Sequence, residues 1–339
     1  MLDSLKLLLK KKLKFQLFQK SSGFTLMELL VTIVISFIIV STLLNVVVNM
    51  LGSERREEAK VNTEQDIQAA IDFIADDLQE AVYIYDADGI AAIANQLPLP
   101  PAKDNVPVLV FWKRNFLTKD TQVVLNNGIT TRVGCLTRIA QTDECNERDY
   151  SIYSLVVYYS IKDNNSAWSN AARIGRWELQ DGIRNTQIAS NSLVKSDPYL
   201  TSPDPGFKLF DLTLPGTLKD KMNAWTKDTL TAYDLKKNQV EILVDYIDPS
   251  TGSGVPQPTN CANVSSQTQL VPANNTTINP LGLYSFYACV DSSKNFAQVY
   301  LRGNALARLG QNTTYSDRQS GYFPSGVLQV RSKGAIGKK

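Results

Sequence analysis

The chain has 339 residues, 43% hydrophobic and 20% charged, with 35 basic and 33 acidic side chains and a net charge of +2. It contains no histidine, which excludes a Ser-His-Asp triad, a Cys-His dyad and histidine-ligated zinc. The near balance of charge argues against a nucleic-acid partner, because such binding rests on a basic surface that neutralises phosphates.

Residues 1–23 carry Lys6, Lys10, Lys11, Lys12, Lys14 and Lys20 against the single acid Asp3, a net charge of +5 that leaves about −3 for the remainder. Leu5, Leu7, Leu8, Leu9, Leu13 and Leu17 interleave with these lysines; an amphipathic surface helix is one reading, and a solvated basic leader is the simpler one. Residues 24–51 follow, 28 positions whose one ionisable side chain is Glu28. As a helix this run covers roughly 42 Å, enough to cross a bilayer. Lipid leaves every backbone polar group to be satisfied within the chain, which a Leu-, Ile- and Val-rich helix does. A secretory signal peptide instead has an apolar core of about 7–15 residues and a small-residue cleavage site. The core here is longer, and Asn49-Met50-Leu51-Gly52-Ser53 offers no such site. The lysine excess ahead of the run, set against Arg55, Arg56 and Lys60 behind it, predicts a cytoplasmic N-terminal side. A carboxylate inside hydrocarbon costs about 2.5–3.5 kcal/mol, so Glu28 requires a partner or must snorkel to the head groups.

Polarity changes at Glu54-Arg55-Arg56-Glu57-Glu58, a solvated collar, yet no proline occurs before Pro98. Val61, Ile67, Ala70, Ile71, Ile74, Leu78 and Val82 recur at helical spacing and predict one helix over 24–83, whose outer part, 52–83, buries one face. Gly52 is its expected flex point, since a helix-interior glycine costs about 1 kcal/mol relative to alanine. Residues 84–339 read as a β-rich domain, with strands predicted at 106–112, 152–161, 173–179, 207–212, 239–247, 283–290 and 297–301 from alternation and β-branched or aromatic content. Asp163-Asn164-Asn165-Ser166 and Pro203-Asp204-Pro205-Gly206 supply turns, and 248–280 reads as a long loop rich in Pro, Ser, Thr, Asn and Gly. The layout is α+β: a long N-terminal helix, half apolar and half amphipathic, packed on an antiparallel β-rich domain.

Cys135, Cys145, Cys261 and Cys289 predict two disulfides if the domain is exported; three connectivities are open, and sequence proximity favours Cys135–Cys145 and Cys261–Cys289. A four-thiolate metal site would call for C-x2-C pairings that the sequence lacks. The chain has no phosphate-binding G-x-x-x-x-G-K-[ST] or G-x-G-x-x-G run. Asp76 with Asp77, Asp86 with Asp88, and Asp245 with Asp248 are the carboxylate pairs that glycoside hydrolysis would need, at about 5–9.5 Å. Adjacent acids more often cap helices or face water, so neither an enzyme nor a cofactor is predicted. Asp86 and Asp88 also suggest calcium, but two acids fall short of its roughly six to eight oxygen ligands. Tyr83, Tyr85, Tyr158, Tyr159 and Trp168 offer rings for a carbohydrate contact, against the simpler reading of core aromatics. Arg331, Lys333, Lys338 and Lys339 form a small basic tail.

The run Gly23-Phe24-Thr25-Leu26-Met27-Glu28-Leu29-Leu30-Val31, behind a basic leader and at the head of an apolar helix, resembles the class III signal of type IV pilins and pseudopilins. The resemblance implies that a prepilin peptidase cuts between Gly23 and Phe24 and that the new amine of Phe24 is methylated. It further implies a single-pass protein of the inner membrane, with a periplasmic C-terminal domain, that joins other pilins at an inner-membrane assembly platform. Glu28 is then the assembly residue, because the amine of Phe24 is a cation and a neighbouring subunit's Glu28 is its natural anion in a low dielectric. The stretches Asp66-Ile67-Gln68-Ala69-Ala70-Ile71-Asp72-Phe73-Ile74 through Asp86-Ala87-Asp88-Gly89, and Val299-Tyr300-Leu301-Arg302-Gly303-Asn304-Ala305-Leu306-Ala307-Arg308, resemble the larger cyanobacterial pseudopilins of hormogonium polysaccharide secretion. That likeness implies a minor pseudopilin whose pseudopilus serves polysaccharide secretion and gliding motility. A tip pseudopilin of a type II protein secretion system and a minor pilus adhesin are the alternatives. Arg302-Gly303-Asn304 and Arg308 would be contact points, although a turn that ends a strand accounts for them more simply.

Overall fold

The computed structural model describes residues 25–136, 144–184, 198–311, 314–334 and 336; the leader, Gly23, Phe24, Lys338 and Lys339 lie outside them. The chain divides into two compact units, residues 1–54 and 55–339. Helix α1 (Leu26–Gln79) runs through Gly52 without a break. In the first unit its residues 26–54 are exposed except for Ser41, which is half-buried.

In the second unit α1 buries Ala59, Thr63, Ile67, Ala70, Ile71, Ile74, Asp77 and Leu78, a stripe at three- and four-residue steps. Val61, placed by the sequence on this stripe, is exposed. Stepping back by fours from Ile67 reaches Thr63 and Ala59, which take the buried positions instead. The helix also ends earlier than residue 83. Ala81–Ile84 forms β1, antiparallel to β2 (Asn105–Leu117), with Ala81 opposite Lys113 and Ile84 opposite Phe111. Val82, Tyr83 and Ile84 suit a strand buried on both faces, and that pairing outweighs the helical spacing of the same residues.

Helix α2 (Ala87–Ile93) follows, capped by Asp86. The remaining elements are the hairpin β3 (Gln122–Val124) and β4 (Thr130–Arg132), then β5 (Tyr150–Ile161), β6 (Ala172–Gln180), α3 (Leu218–Asn223) and β7 (Glu241–Ile247). After them come β8 (Gln269–Val271), β9 (Phe286–Asp291), β10 (Phe296–Arg302), α4 (Ala305–Arg308) and β11 (Ser325–Arg331). A five-stranded sheet runs β1-β2-β5-β6-β7 and a four-stranded sheet β11-β10-β9-β8, both antiparallel throughout. Trp112, Tyr158 and Trp177 of the first sheet share one core with Phe286 and Val299 of the second and with Ile74 and Leu78 of α1. The fold is thus α+β, a long helix followed by an antiparallel β domain. Pro107 sits where β2 shifts register against β5, a position that tolerates a missing N–H.

Six of the seven predicted strands fall on β2, β5, β6, β7, β9 and β10. Residues 207–212 do not form a strand. Phe207 and Phe210 instead pack their rings edge-on against Trp112, an i, i+3 pair that anchors irregular chain to the core without a ladder. The loop at 248–280 contains β8, which pairs with β9, and the sequence reading passes over the edge strand β11.

Two glycines let the second sheet approach α1. A Cβ at Gly303 would lie 2.6 Å from Thr63 Cγ2, and one at Gly326 would meet Ile71 Cδ1. At the C-terminal end of α1, Asp77 Oδ1 lies 2.9 Å from Lys113 Nζ on β2, and Asp77 Oδ2 lies 2.7 Å from Arg176 Nε on β6. Tyr158 on β5 donates its hydroxyl to Asp77 Oδ2 at 2.6 Å. Arg176 Nη2 also bonds Glu178 Oε2 at 2.7 Å, and Asn115 Nδ2 donates to Glu178 Oε1 at 2.9 Å. Burial pushes the Asp77 carboxyl up, but the Arg176 bonds and charge, with Lys113 and Tyr158, hold it below its ordinary value. Burial likewise opposes ionisation of Glu178, and the charges of Arg176 and Lys113 reverse that and lower it.

Valine at 303 or 326 is expected to overpack this contact and cost about 1–3 kcal/mol, read as a lower melting temperature, while Gly321→Ala, in open space, leaves it unchanged. Equal melting of all three variants would contradict the close approach. The lowered carboxyls of Asp77 and Glu178 contribute stability that is present above their unfolded values, 3.8 and 4.5, and is lost as pH falls through the folded ones. Melting temperature should therefore drop on acidification below about pH 4.5. Asp77→Asn should cost about 3–5 kcal/mol near neutrality by leaving two buried cations under-compensated, and its acid limb should be shallower. An acid limb as steep as the wild type's would show that Asp77 does not carry the effect.

Candidate functional site

The segment that bears the sequence motif is described from Thr25 onward. Thr25 closes the first turn of α1: its carbonyl accepts from Glu28 N at 3.0 Å and Leu29 N at 3.1 Å, and its Oγ1 accepts from Glu28 N at 3.2 Å. The hydroxyl thereby satisfies one of the donors that a helix start leaves open. Thr25-x-x-Glu28 is also the spacing of a capping box, a signal the pilin-like pattern overshadows. Glu28 stands in the first turn of α1, where the positive end of the helix dipole favours a carboxylate. The helix start thus favours an acid at position 28.

Further along, three hydroxyls turn back on the helix. Thr32 Oγ1 donates to Glu28 O at 2.8 Å, Ser41 Oγ to Ile38 O at 3.0 Å, and Thr42 Oγ1 to Ile39 O at 2.8 Å. Such internal bonds suit a solvent without hydrogen-bonding capacity. Ser41, Asn45 and Asn49 recur every four residues on one face, the kind of side chain through which membrane helices bond one another. Among the described residues α1 is the one helix long and apolar enough to cross a membrane. Its leucines, isoleucines, valines and Phe37 are all exposed from Leu26 to Leu51.

Most of the paired acids are engaged by structural partners. Asp76 is exposed while Asp77 faces the core. Lys219 Nζ sits between Asp86 Oδ2 and Asp88 Oδ2, at 2.7 and 3.0 Å, in the place the sequence offers to calcium. Asp86 also caps α2 through Gly89 N and accepts from Ser292 Oγ at 2.7 Å. Asp88 accepts from Gln269 Nε2 at 2.7 Å, and the bonds from Gln269 and Lys219 hold its carboxyl below the ordinary value. Asp245 is bound by Ser169 N and Oγ at 2.9 and 2.6 Å, and Asp248 by Arg302 Nε at 2.8 Å. Asp77, Asp86, Asp88, Asp245 and Asp248 are thus each held by structural partners, with Lys219 shared between Asp86 and Asp88.

The cysteines pair as Cys135–Cys145 and Cys261–Cys289. The second bridge ties the loop before β8 to β9. Cys135, Cys145 and Glu147 lie close together, but the disulfide removes both thiolates as metal ligands. Tyr83, Tyr85, Tyr158 and Tyr159 are core residues, each at most 1% exposed, whereas Trp168 is 41% exposed. Arg302, Gly303 and Asn304 serve the fold: Arg302 pairs with buried Asp248, Gly303 N donates to Pro324 O, and Asn304 caps α4. Arg308 reaches across to α1, where Nε donates to Thr63 Oγ1 at 2.8 Å and Nη2 pairs with Asp66. Sequence reading could not find these ties, because the partners are 245 and 242 residues apart. Arg331 and Lys333 are in the described part of the tail.

Residues 18–44 match the family described as the prokaryotic N-terminal methylation motif. The match spans the Gly23–Phe24 bond, Glu28 and the first part of the apolar helix. No curated protein and no solved structure matches the chain. The motif, the one long apolar helix among the described residues and the α+β body together support a type IV pilin-like precursor; the motif implies processing by prepilin peptidase, and the helix suits a single-pass anchor.

Proposed function

We propose that the chain is a minor pseudopilin. Prepilin peptidase cuts between Gly23 and Phe24, Phe24 is N-methylated, and the subunit waits in the inner membrane with its N-terminus cytoplasmic and its β domain periplasmic. It then leaves the bilayer for a pseudopilus, in which the Phe24 amine of one subunit meets Glu28 of the next. The methylation-motif match over residues 18–44 carries this reading. Supporting it are the six lysines ahead of the apolar run, the two disulfides that fit an oxidising compartment, and the Ser41, Asn45 and Asn49 stripe. The service we assign to the fibre, polysaccharide secretion and gliding motility, rests on the likeness of residues 66–89 and 299–308 to pseudopilins of that system.

Glu28→Val should leave cleavage and membrane insertion intact but remove the subunit from sheared fibres, because the Phe24 amine would lose its anion. Polysaccharide release and gliding in a strain that carries only this variant should fall to the level of a deletion strain. Normal incorporation of Glu28→Val into fibres would overturn the pairing, and wild-type polysaccharide release from the deletion strain would overturn the assigned service.

A further inference from the structure

A strand at the edge of a sheet presents unpaired N–H and C=O groups to other chains, and such edges are ordinarily shortened, bulged, charged or covered. Three of the four edges of the two large sheets are protected in these ways. Along β1, Ile84 N donates to Asn295 Oδ1 at 3.3 Å, Asn295 Nδ2 donates to Val82 O at 2.9 Å, and Ser332 Oγ bonds Ala81 O. β7 shifts register twice against β6, and its end is tied to residues 302–304. β8 has three residues and stops before Pro272. β11 differs: its seven residues include no proline, lysine or acid, and it pairs with β10 over its whole length without a shift of register. Gly303 N donates to Pro324 O and Ser332 N to Asn295 O at the two ends of that pair, and hydrogen-bonded pairs alternate along an antiparallel ladder. Gly326, Leu328 and Val330 therefore bond β10, while Ser325, Val327, Gln329 and Arg331 turn their N–H and C=O groups to the free edge. No other described residue bonds those groups, and the four side chains are exposed as well.

We infer that this edge is a docking surface for a second copy of the chain, joined β11 to β11 and antiparallel about Leu328. The other edges of the large sheets are guarded, so the strand of a second copy that can receive β11 is β11 itself. Its pattern is self-complementary. Leu328 opposite its copy sets Val327 against Gln329 and Ser325 against Arg331, and every outward N–H and C=O of both strands then finds its partner in the other. A shift of two residues either way leaves Ser325 or Arg331 outside the ladder. A shift of one sets outward groups against residues whose groups β10 already uses. Arg331, the one charge of the strand, lies beside a serine and at the far end from its copy, so no like charges face each other across the pair. The contact is isologous and closes as a dimer. One strand pair is a small interface, of the weak or transient class. It uses no residue of the assembly segment, so it stands or falls separately from the pseudopilin reading.

The full chain in detergent can be tested by cysteine cross-linking, because the native cysteines are all bridged and an introduced thiol is then the sole one. Facing residues of a non-hydrogen-bonded pair lie about 4.5 Å apart at Cα, within disulfide reach. On mild oxidation Leu328→Cys should form a covalent dimer about tenfold or more faster than Leu230→Cys, because pairing raises the effective concentration of the two thiols. Leu230 is 91% exposed and reports chance collision. Added to Leu328→Cys, Gln329→Pro removes an outward N–H and no β10 bond, and it should abolish the dimer while the melting temperature shows a folded domain. Two further surface changes test the register without touching the backbone: Ser325→Arg, which faces Arg331 of the partner subunit with a like charge, should slow cross-linking, and Ser325→Glu should speed it. A Leu328→Cys dimer that forms no faster than that of Leu230→Cys, or equal rates with Ser325→Arg and Ser325→Glu, would overturn the pairing. In native membranes, a Leu328→Cys adduct with a different protein and no homodimer would overturn the second copy as the occupant.

Discussion

One buried carboxylate fixes how the second unit is built. Apolar contact is non-directional, so the stripe from Ala59 to Leu78 could rotate or slide on a sheet at modest cost. Asp77 removes that freedom: Lys113, Tyr158 and Arg176 arrive from β2, β5 and β6 and all bond its two oxygens. A slip that put Leu78 in its place would leave Lys113 and Arg176 with only Glu80 and Glu178 as counter-charges and the Tyr158 hydroxyl without its acceptor. Charged hydrogen bonds are short and directional, and here they convert a greasy contact into a single register. Gly303 and Gly326 set the other end by admitting α1 against the second sheet.

The helix that is held so firmly at one end has, over residues 26–51, no apolar side chain covered by its own unit. A stretch of this length far exceeds the exposed apolar patch of about 300–600 Å2 that a soluble monomer carries. Hydrocarbon, or the like helices of a fibre, are the surroundings in which such a surface is stable. The hydroxyls of Thr32, Ser41 and Thr42 are already bonded to backbone carbonyls, and Glu28 is the one ionisable side chain of the run. A pilin-like subunit needs this combination: an anchor that lipid accepts, and a charge that lipid accepts poorly.

What could be read from the sequence follows from the range of the interactions involved. The apolar run and its motif are local, and so are the long central strands β2, β5 and β6, whose Val, Ile and Tyr content admits few other readings. Short or edge elements gave no such signal. β8 has three residues inside a polar loop, β11 alternates weakly, and β1 hides in residues that continue a helical spacing. Phe207 and Phe210 read as a strand because sequence shows that they are apolar but not that Trp112 receives them. The charge clusters were the least accessible, since Asp77 meets partners 36, 81 and 99 residues away and Lys219 stands between the two aspartates that read in sequence as a calcium pair.

The account rests on one covalent event at the inner end of the apolar helix. Mass spectrometry of the protein extracted from its native membranes measures that end directly. The account predicts a polypeptide that begins at Phe24 with a methyl group on its amine and retains the whole apolar run. A chain that still carries the lysine-rich leader, or one that begins beyond residue 45 and has lost its anchor, would contradict it.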